Sequence, residues 1–254
     1  GERWHARDRH RGFEDRGLPG CAGSGTIFFG GCNLLCSFCQ NHDISHSGGT
    51  PPRAPGTEAP PGRLAAMMLE LERAGSCNIN FVTPSHVVPQ ILEAIAVALR
   101  RGFSLPIVYN SSGYDSVETL SLLDGVVDIY MPDIKFHRDE GAPYLTEAAD
   151  YGEIAERAVR EMHRQVGDLQ LRRGVAVRGL LVRHLVMPRT AADSSAIFRF
   201  LAELSRDTYV NVMSQYRPMH MARHDPVIGV PLTLPEHEAA VEAARETGLW
   251  RIVT

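Results

Sequence analysis

The sequence predicts an α/β protein whose parallel strands are covered by helices, and three observations carry that prediction. Six short runs rich in β-branched and aromatic residues recur along the chain. Between them lie segments whose apolar residues fall at i, i+3, i+4 and i+7, the spacing of one helix face. The strand runs are near-continuously apolar rather than alternating, as in a sheet buried on both sides. With 254 residues, 44% of them hydrophobic, the chain is long enough to bury the core of one large domain.

Each element follows in order. Residues 1–24 are polar, rich in Arg, Asp and Gly and without a period, and read as an irregular N-terminal arm ahead of one domain over 25–254. Gly25 to Phe29 is the first strand, and a cysteine-rich loop leaves its end. Residues 47–62 are rich in Gly and Pro and read as a loop. Leu64, Met67, Met68 and Leu71 stripe a helix before a strand over 78–83. Val88, Ile91, Leu92, Ile95 and Leu99 stripe the next helix, which stops at Gly102. A strand over 106–110, a helix through Leu120 and Leu123, and a strand over 126–131 follow. Ala155, Val159, Met162 and Val166 mark a long helix ending at Gly167, and residues 179–187 form the fifth strand. Ile197, Phe198, Leu201 and Leu204 mark a helix, residues 209–213 the sixth strand, and residues 235–247 a last helix stopped by Gly248. A closed eight-stranded barrel needs two more such units. A partial barrel and an open doubly wound sheet remain.

Charge and composition exclude some partners. The formal net charge is −4 and the pI near 6.3, so no basic field is present to hold a nucleic-acid backbone. No apolar run reaches the roughly 20 residues of a membrane helix, so no membrane partner is expected. No secretory signal pattern opens the sequence, and cysteines that must stay reduced to act as ligands fit the cytoplasm. Of the 26 cationic residues, 25 are Arg and one, Lys135, is Lys. Such a bias suggests a GC-rich coding sequence. A surviving Lys is then either chance or a place where a compact ammonium is needed and a planar guanidinium does not fit.

The most informative run is Gly30-Gly31-Cys32-Asn33-Leu34-Leu35-Cys36-Ser37-Phe38-Cys39-Gln40-Asn41. Three thiolates at C-x3-C-x2-C spacing, with no fourth Cys nearby, suit three irons of a [4Fe–4S] cluster and leave one iron open for a substrate or cofactor. The other reading is zinc, completed by His42 or His46. Of the remaining cysteines, Cys21 reads as a loop cysteine or a redox thiol, and Cys77 as a small buried hydrophobe. His220 and His224 have i, i+4 spacing but lack a third ligand for a metal.

The cysteine run resembles the signature of the radical S-adenosylmethionine (SAM) superfamily, and G-C-N-L-x-C-x-F-C-Q-N is most similar to its pyruvate formate-lyase activating enzyme branch. The resemblance spans about residues 24 to 216. It implies a partial (β/α)6 barrel of parallel strands with outer helices, with Cys32, Cys36 and Cys39 as metal ligands. It implies a [4Fe–4S] cluster and SAM as cofactors, and reductive cleavage of SAM to methionine and a 5′-deoxyadenosyl radical. In parallel α/β folds ligands gather at the C-terminal strand ends, and the resemblance assigns SAM-binding residues there. Phe38 matches an aromatic near the adenine, and also suits a shield against water. Thr83 and Ser85 lie where the family has a Gly-Gly-Glu-Pro segment contacting the SAM amino group. This chain lacks its glycines and glutamate, and Ser85 also suits a helix N-cap. Asn110 and Ser112 align with a run binding the ribose or methionine part, or form a polar turn. Asn110 replaces an acidic residue there, which weakens a monovalent cation site. Asp133 and Lys135 resemble an Asp-Leu-Lys run and share a face by alternation, either as SAM contacts, with Lys135 toward the carboxylate, or as a structural ion pair. Arg183 matches an Arg that reaches the SAM carboxylate, while His184 points to the opposite face. Gln215 or Tyr216 falls near the adenine.

The implied function is hydrogen abstraction from a small-molecule or peptide substrate, with an electron donor such as flavodoxin or ferredoxin. A second reading is an activase that installs a glycyl radical on a partner glycyl radical enzyme. A third is a non-catalytic Fe–S or zinc protein.

Overall fold

The computed structural model describes residues 3–6, 22–46, 57–137, 145–189 and 191–254. Cys21 and most of the predicted 47–62 loop lie outside them. The strands are β1 (Arg3–Ala6), β2 (Gly25–Phe29), β3 (Thr57–Glu58), β4 (Ile79–Val82), β5 (Ile107–Asn110), β6 (Ile129–Tyr130), β7 (Gln170–Arg172), β8 (Val175–Leu185), β9 (Tyr209–Met213) and β10 (Ile252–Val253). The helices are α1 (His42–Ser45), α2 (Pro61–Arg73), α3 (Val88–Leu99), α4 (Val117–Ser121), α5 (Tyr151–Val166), α6 (Ala191–Leu204) and α7 (Leu234–Glu246), with a 3-10 turn at His220–His224. None among the described residues is long and apolar enough to cross a membrane.

Strand order settles the architecture. The sheet runs β10-β9-β8-β6-β5-β4-β2-β1-β3, and neighbours from β2 to β10 pair in parallel. Each successive parallel strand is therefore added on the same side of the last. A doubly wound sheet reverses direction at a switch point; this one does not, and matches the winding of a partial barrel left open between its end strands.

Among the described residues the sheet has seven parallel strands rather than the expected six. The seventh, β10, contributes two residues, too few for a readable period. Three further strands pair antiparallel. β1 joins β2 from within the arm expected to be irregular, and carries β3 on its other side. β7 and β8 form a hairpin in which Arg172 pairs with Val175 around Arg173-Gly174, both at positive φ (54° and 84°), the requirement of a two-residue primed turn.

Alternation along the strands sorts core from site. Ile27, Phe29, Ile79, Phe81, Tyr109, Tyr130, Leu180 and Val182 share the main core with the inward stripes of the helices, including Leu64, Met68, Ile91, Val159 and Met162. Burying each such side chain contributes about 2 kcal/mol. Val108, Ile129 and Leu181, on the opposite face of three adjacent strands, form a separate apolar plug with Leu169 and Ala176. Continuing that parity toward the C-terminal ends gives Asn110, Arg183 and, one step beyond Met131, Asp133, so the site rests on this plug.

His184 has the other parity, as expected, and packs toward α6. Its Nδ1 donates to Ile134 O (2.8 Å), its Nε2 accepts from Ser194 Oγ (2.9 Å), and its ring stands edge-on to Phe198. Burial lowers its pKa to about 4. The unfolded chain, with His near 6.5, then binds a proton that the native state refuses, so stability present above pH 6.5 is lost as pH falls toward 4. A drop from pH 7 to pH 5 should cost about 2 kcal/mol through this residue. Urea unfolding of His184→Gln at both pH values should show that much less pH-dependent loss than the parent; an equal loss would refute the assignment.

Candidate functional site

The polar site lies where β2, β4, β5, β6 and β8 end. The loop after β2 carries the three cysteines, all free, with Cys36 buried and Cys32 and Cys39 partly exposed. It is pinned from several sides. Ser37 N donates to Leu145 O (2.8 Å), Asn33 Nδ2 to Tyr114 O (2.6 Å), Gln40 Nε2 to Gln215 O (3.2 Å), and Ala222 N to Ser37 O (2.9 Å). Gly31 turns the chain at a φ of 86°, and His86 Nε2 donates to Gly30 O (3.0 Å). The loop is thus held by the protein's own contacts.

Electrostatics couple the loop to the strand ends. Burial pushes the Cys36 thiol up to about 12, partly offset by Lys135, and burial raises Cys32 as well. Neutral thiols so placed become thiolates when positive charge is brought to them, as a metal does. No group of three His, Cys, Asp or Glu among the described residues could hold a single metal ion. One tetrahedral zinc needs its sulfurs about 3.8 Å apart, whereas an iron–sulfur cluster takes each thiolate on a different iron. Among the described residues neither His42 nor His46 completes a zinc site with the cysteines, and three thiols on one loop are a donor set that an iron–sulfur cluster would accept.

Beside the loop, Asp133, Lys135, Arg183 and Asn110 form one network. Lys135 Nζ meets Asp133 Oδ2 at 2.8 Å, the Arg183 guanidinium meets Asp133 Oδ1 at 2.7 Å, and Arg183 donates to Asn110 Oδ1 (2.8 Å). Burial alone would raise Asp133, but Arg183 and Lys135 outweigh it and hold the carboxyl below its ordinary value. Burial alone would depress Lys135, but Asp133 and Cys36 hold the ammonium above its ordinary range. Two cations share one carboxylate, which leaves one positive charge that a bound anion would neutralise.

Sequence reading did not find the residue that holds this network. Tyr151, at the start of α5, has no exposure. Its hydroxyl lies 2.8 Å from Ser112 O and 3.0 Å from Asp133 O, and accepts from Lys135 N (3.0 Å). It therefore ties the β5 and β6 exits together. Gly113, at φ 78°, completes the joint, because a Cβ there would stand 2.4 Å from Asp133 O. Tyr151→Phe leaves these backbone groups short of a partner and should cost about 1–3 kcal/mol. Thermal unfolding checks this, and an unchanged midpoint would rule it out.

The other expected residues fall as follows. Thr83 adopts φ 60°, a left-handed backbone that a β-branched residue resists. Ser85 does not cap α3, whose N-cap position is Val87. Its Oγ is buried against the Asp115 carboxyl and the Tyr109 hydroxyl and favours the ionised form of each. Asn80 Oδ1, with the parity of the site, is also buried and unpartnered. Ser112 Oγ accepts from Tyr114 N (3.4 Å). Phe38 is buried edge-on to Phe136, a covering position. Tyr216 is buried with its hydroxyl donated to Ile228 O (2.7 Å), which leaves Gln215 as the exposed member of the pair. Cys77 is half-buried and disulfide-bonded, a correction to its reading as an apolar filler.

No protein-family model matches the chain. An uncharacterized protein of Methanocaldococcus jannaschii is 35% identical over 229 residues, which cover 89% of this chain and 63% of that protein. The chain thus spans less than two thirds of that relative's length. Among solved structures, native anSMEcpe with bound AdoMet aligns with a TM-score of 0.49 and 10% identity over 71% of this chain and 48% of that one. An enolase from Thermobispora bispora complexed with magnesium and formate aligns with a TM-score of 0.31 and 16% identity over 83% and 45%. Neither structural likeness is close enough to carry a functional reading.

Proposed function

We propose that this chain is a radical SAM enzyme, with Cys32, Cys36 and Cys39 holding a [4Fe–4S] cluster and the strand ends holding SAM. The carrying observation is the convergence of three free thiols with an excess-positive network at the neighbouring strand ends. When bound, the cluster and SAM together supply reductive cleavage to methionine and a 5′-deoxyadenosyl radical that abstracts hydrogen.

The chain's own part is to bind, orient and exclude water. Lys135 has three N–H donors and spends one on Asp133. It is thus the group placed to meet the SAM carboxylate, with Arg183 beside it. Asp133 keeps both cations in place, and Asn110 fixes the guanidinium plane. Thr83, Ser85 and the unpartnered Asn80 Oδ1 are polar groups suited to the SAM amino end, and Gln215, the exposed neighbour of Tyr216, is the residue offered to the adenine. Phe38, Leu34, Phe136 and Tyr216 form the apolar cover behind the loop.

The substrate is a small molecule or peptide, and flavodoxin or ferredoxin supplies the electron. The G-C-N-L-x-C-x-F-C-Q-N run also supports the activase reading, in which the substrate is a glycyl radical enzyme. Anaerobic reconstitution followed by dithionite and SAM should release 5′-deoxyadenosine. Iron uptake without release would leave a non-catalytic Fe–S protein and overturn the catalytic reading. A glycyl radical signal appearing on an added partner would select the activase.

A further inference from the structure

The loop cysteines do not have equal surroundings. Ser45, at the end of α1, is buried, and its Oγ lies 3.1 Å from Cys39 Sγ and 2.9 Å from His46 Nδ1. The His46 ring packs 4.7 Å from that of His220, which stacks 4.9 Å from His42. His220 takes a left-handed backbone, φ 51°, in reaching that position.

With a metal-bound thiolate at Cys39, the direction of the Ser45–Cys39 bond is fixed. A thiolate only accepts, so the Ser45 hydroxyl donates its one proton to Cys39 Sγ. Its oxygen is then free to accept from His46 Nδ1–H. The imidazole thus orients the hydroxyl, and His220 and His42 hold the imidazole. Hydrogen bonds to ligand sulfur withdraw charge from an iron–sulfur centre and favour its reduced form.

We infer that Ser45, oriented by His46, is a positioning residue that raises the reduction potential of the centre by donating to Cys39 Sγ. This rests on the reading under Proposed function.

The test is a redox titration of the reconstituted full chain, followed by absorbance and electron paramagnetic resonance. Ser45→Ala should keep the parent's iron content and shift the reduction equilibrium at least tenfold toward the oxidised form, 59 mV for one electron. Ser45→Thr, which keeps the hydroxyl, should return toward the parent value. His46→Phe, which keeps a ring against His220, should shift the potential the same way by less. It serves as the test on its own should Ser45→Ala fail to take up iron. Unchanged potentials at intact iron content overturn the inference and leave the proposed function standing. A parent chain that takes up no iron overturns both.

Discussion

Cys36→Ala is expected to abolish both iron binding and 5′-deoxyadenosine release. Its position explains why the loss should be complete. Cys36 is the middle ligand and is buried in an apolar cluster with Leu34, Phe38 and Phe136, so neither water nor a neighbouring side chain is placed to substitute for it. Two remaining thiolates leave two irons of the four without protein ligands, and clusters of this type are held by Cys thiolates. Iron and sulfide analysis after anaerobic reconstitution checks the outcome. Cys77→Ala is the internal comparison. Cys77 is disulfide-bonded while the three loop cysteines are free, so its variant should keep the iron even where thermal stability drops. A Cys36→Ala protein with full iron content would remove the cluster assignment. Stoichiometric zinc in the parent, lost in the variant, would replace it with the zinc reading.

The strand ends were legible in the sequence because alternation is rigid. Once Ile129 is placed in a strand, Met131, Asp133 and Lys135 share its parity, and the ion pair at 2.8 Å follows from that. The placement of the three cysteines on one loop after β2 was legible for the same reason, since the strand ahead of them ends at Phe29. Residues that act across the fold were not. Tyr151 reaches Ser112, 39 residues away, and nothing around Tyr151 marks it as more than a helix start. Arg183 was read as a ligand for a carboxylate, but its tie to Asp133 depends on β6 and β8 becoming neighbours.

Thr83 shows the limit in the other direction. Its segment looked divergent because it lacks glycines, yet its backbone takes the left-handed turn that glycine would take without strain. Such conformations cost of order 1–3 kcal/mol and persist where surrounding contacts enforce them; here Thr83 N is held by Asn110 O at 2.9 Å. The position is therefore held in a conformation usual for glycine although a threonine occupies it. Ser85 misled for a related reason. Serine ahead of a helix is a common cap, but α3 begins two residues too late for Ser85 to serve it.

Lys135→Ala should weaken SAM binding about 10- to 100-fold, the scale of losing one charge-assisted hydrogen bond of roughly 1.5–3 kcal/mol, while cluster assembly survives. The argument is one of charge. Asp133 between Lys135 and Arg183 leaves an excess of one positive charge, and removing Lys135 brings that sum to zero. A carboxylate entering the altered site would then meet an Arg183–Asp133 pair that already satisfies itself. The readout is the KM for SAM in 5′-deoxyadenosine release at unchanged iron content. Lys135→Arg is the sharper test, because this chain uses Arg at its 25 other cationic positions. The side chain at 135 is nearly buried, and its compact ammonium fits between Asp133 and Cys36. A planar fork there would pair bidentately with Asp133 and compete with Arg183 for the same oxygens. Lys135→Arg should therefore bind SAM almost as poorly as Lys135→Ala. Wild-type affinity in Lys135→Arg would mean that the site needs only a charge at 135, and that its ammonium is an accident of composition.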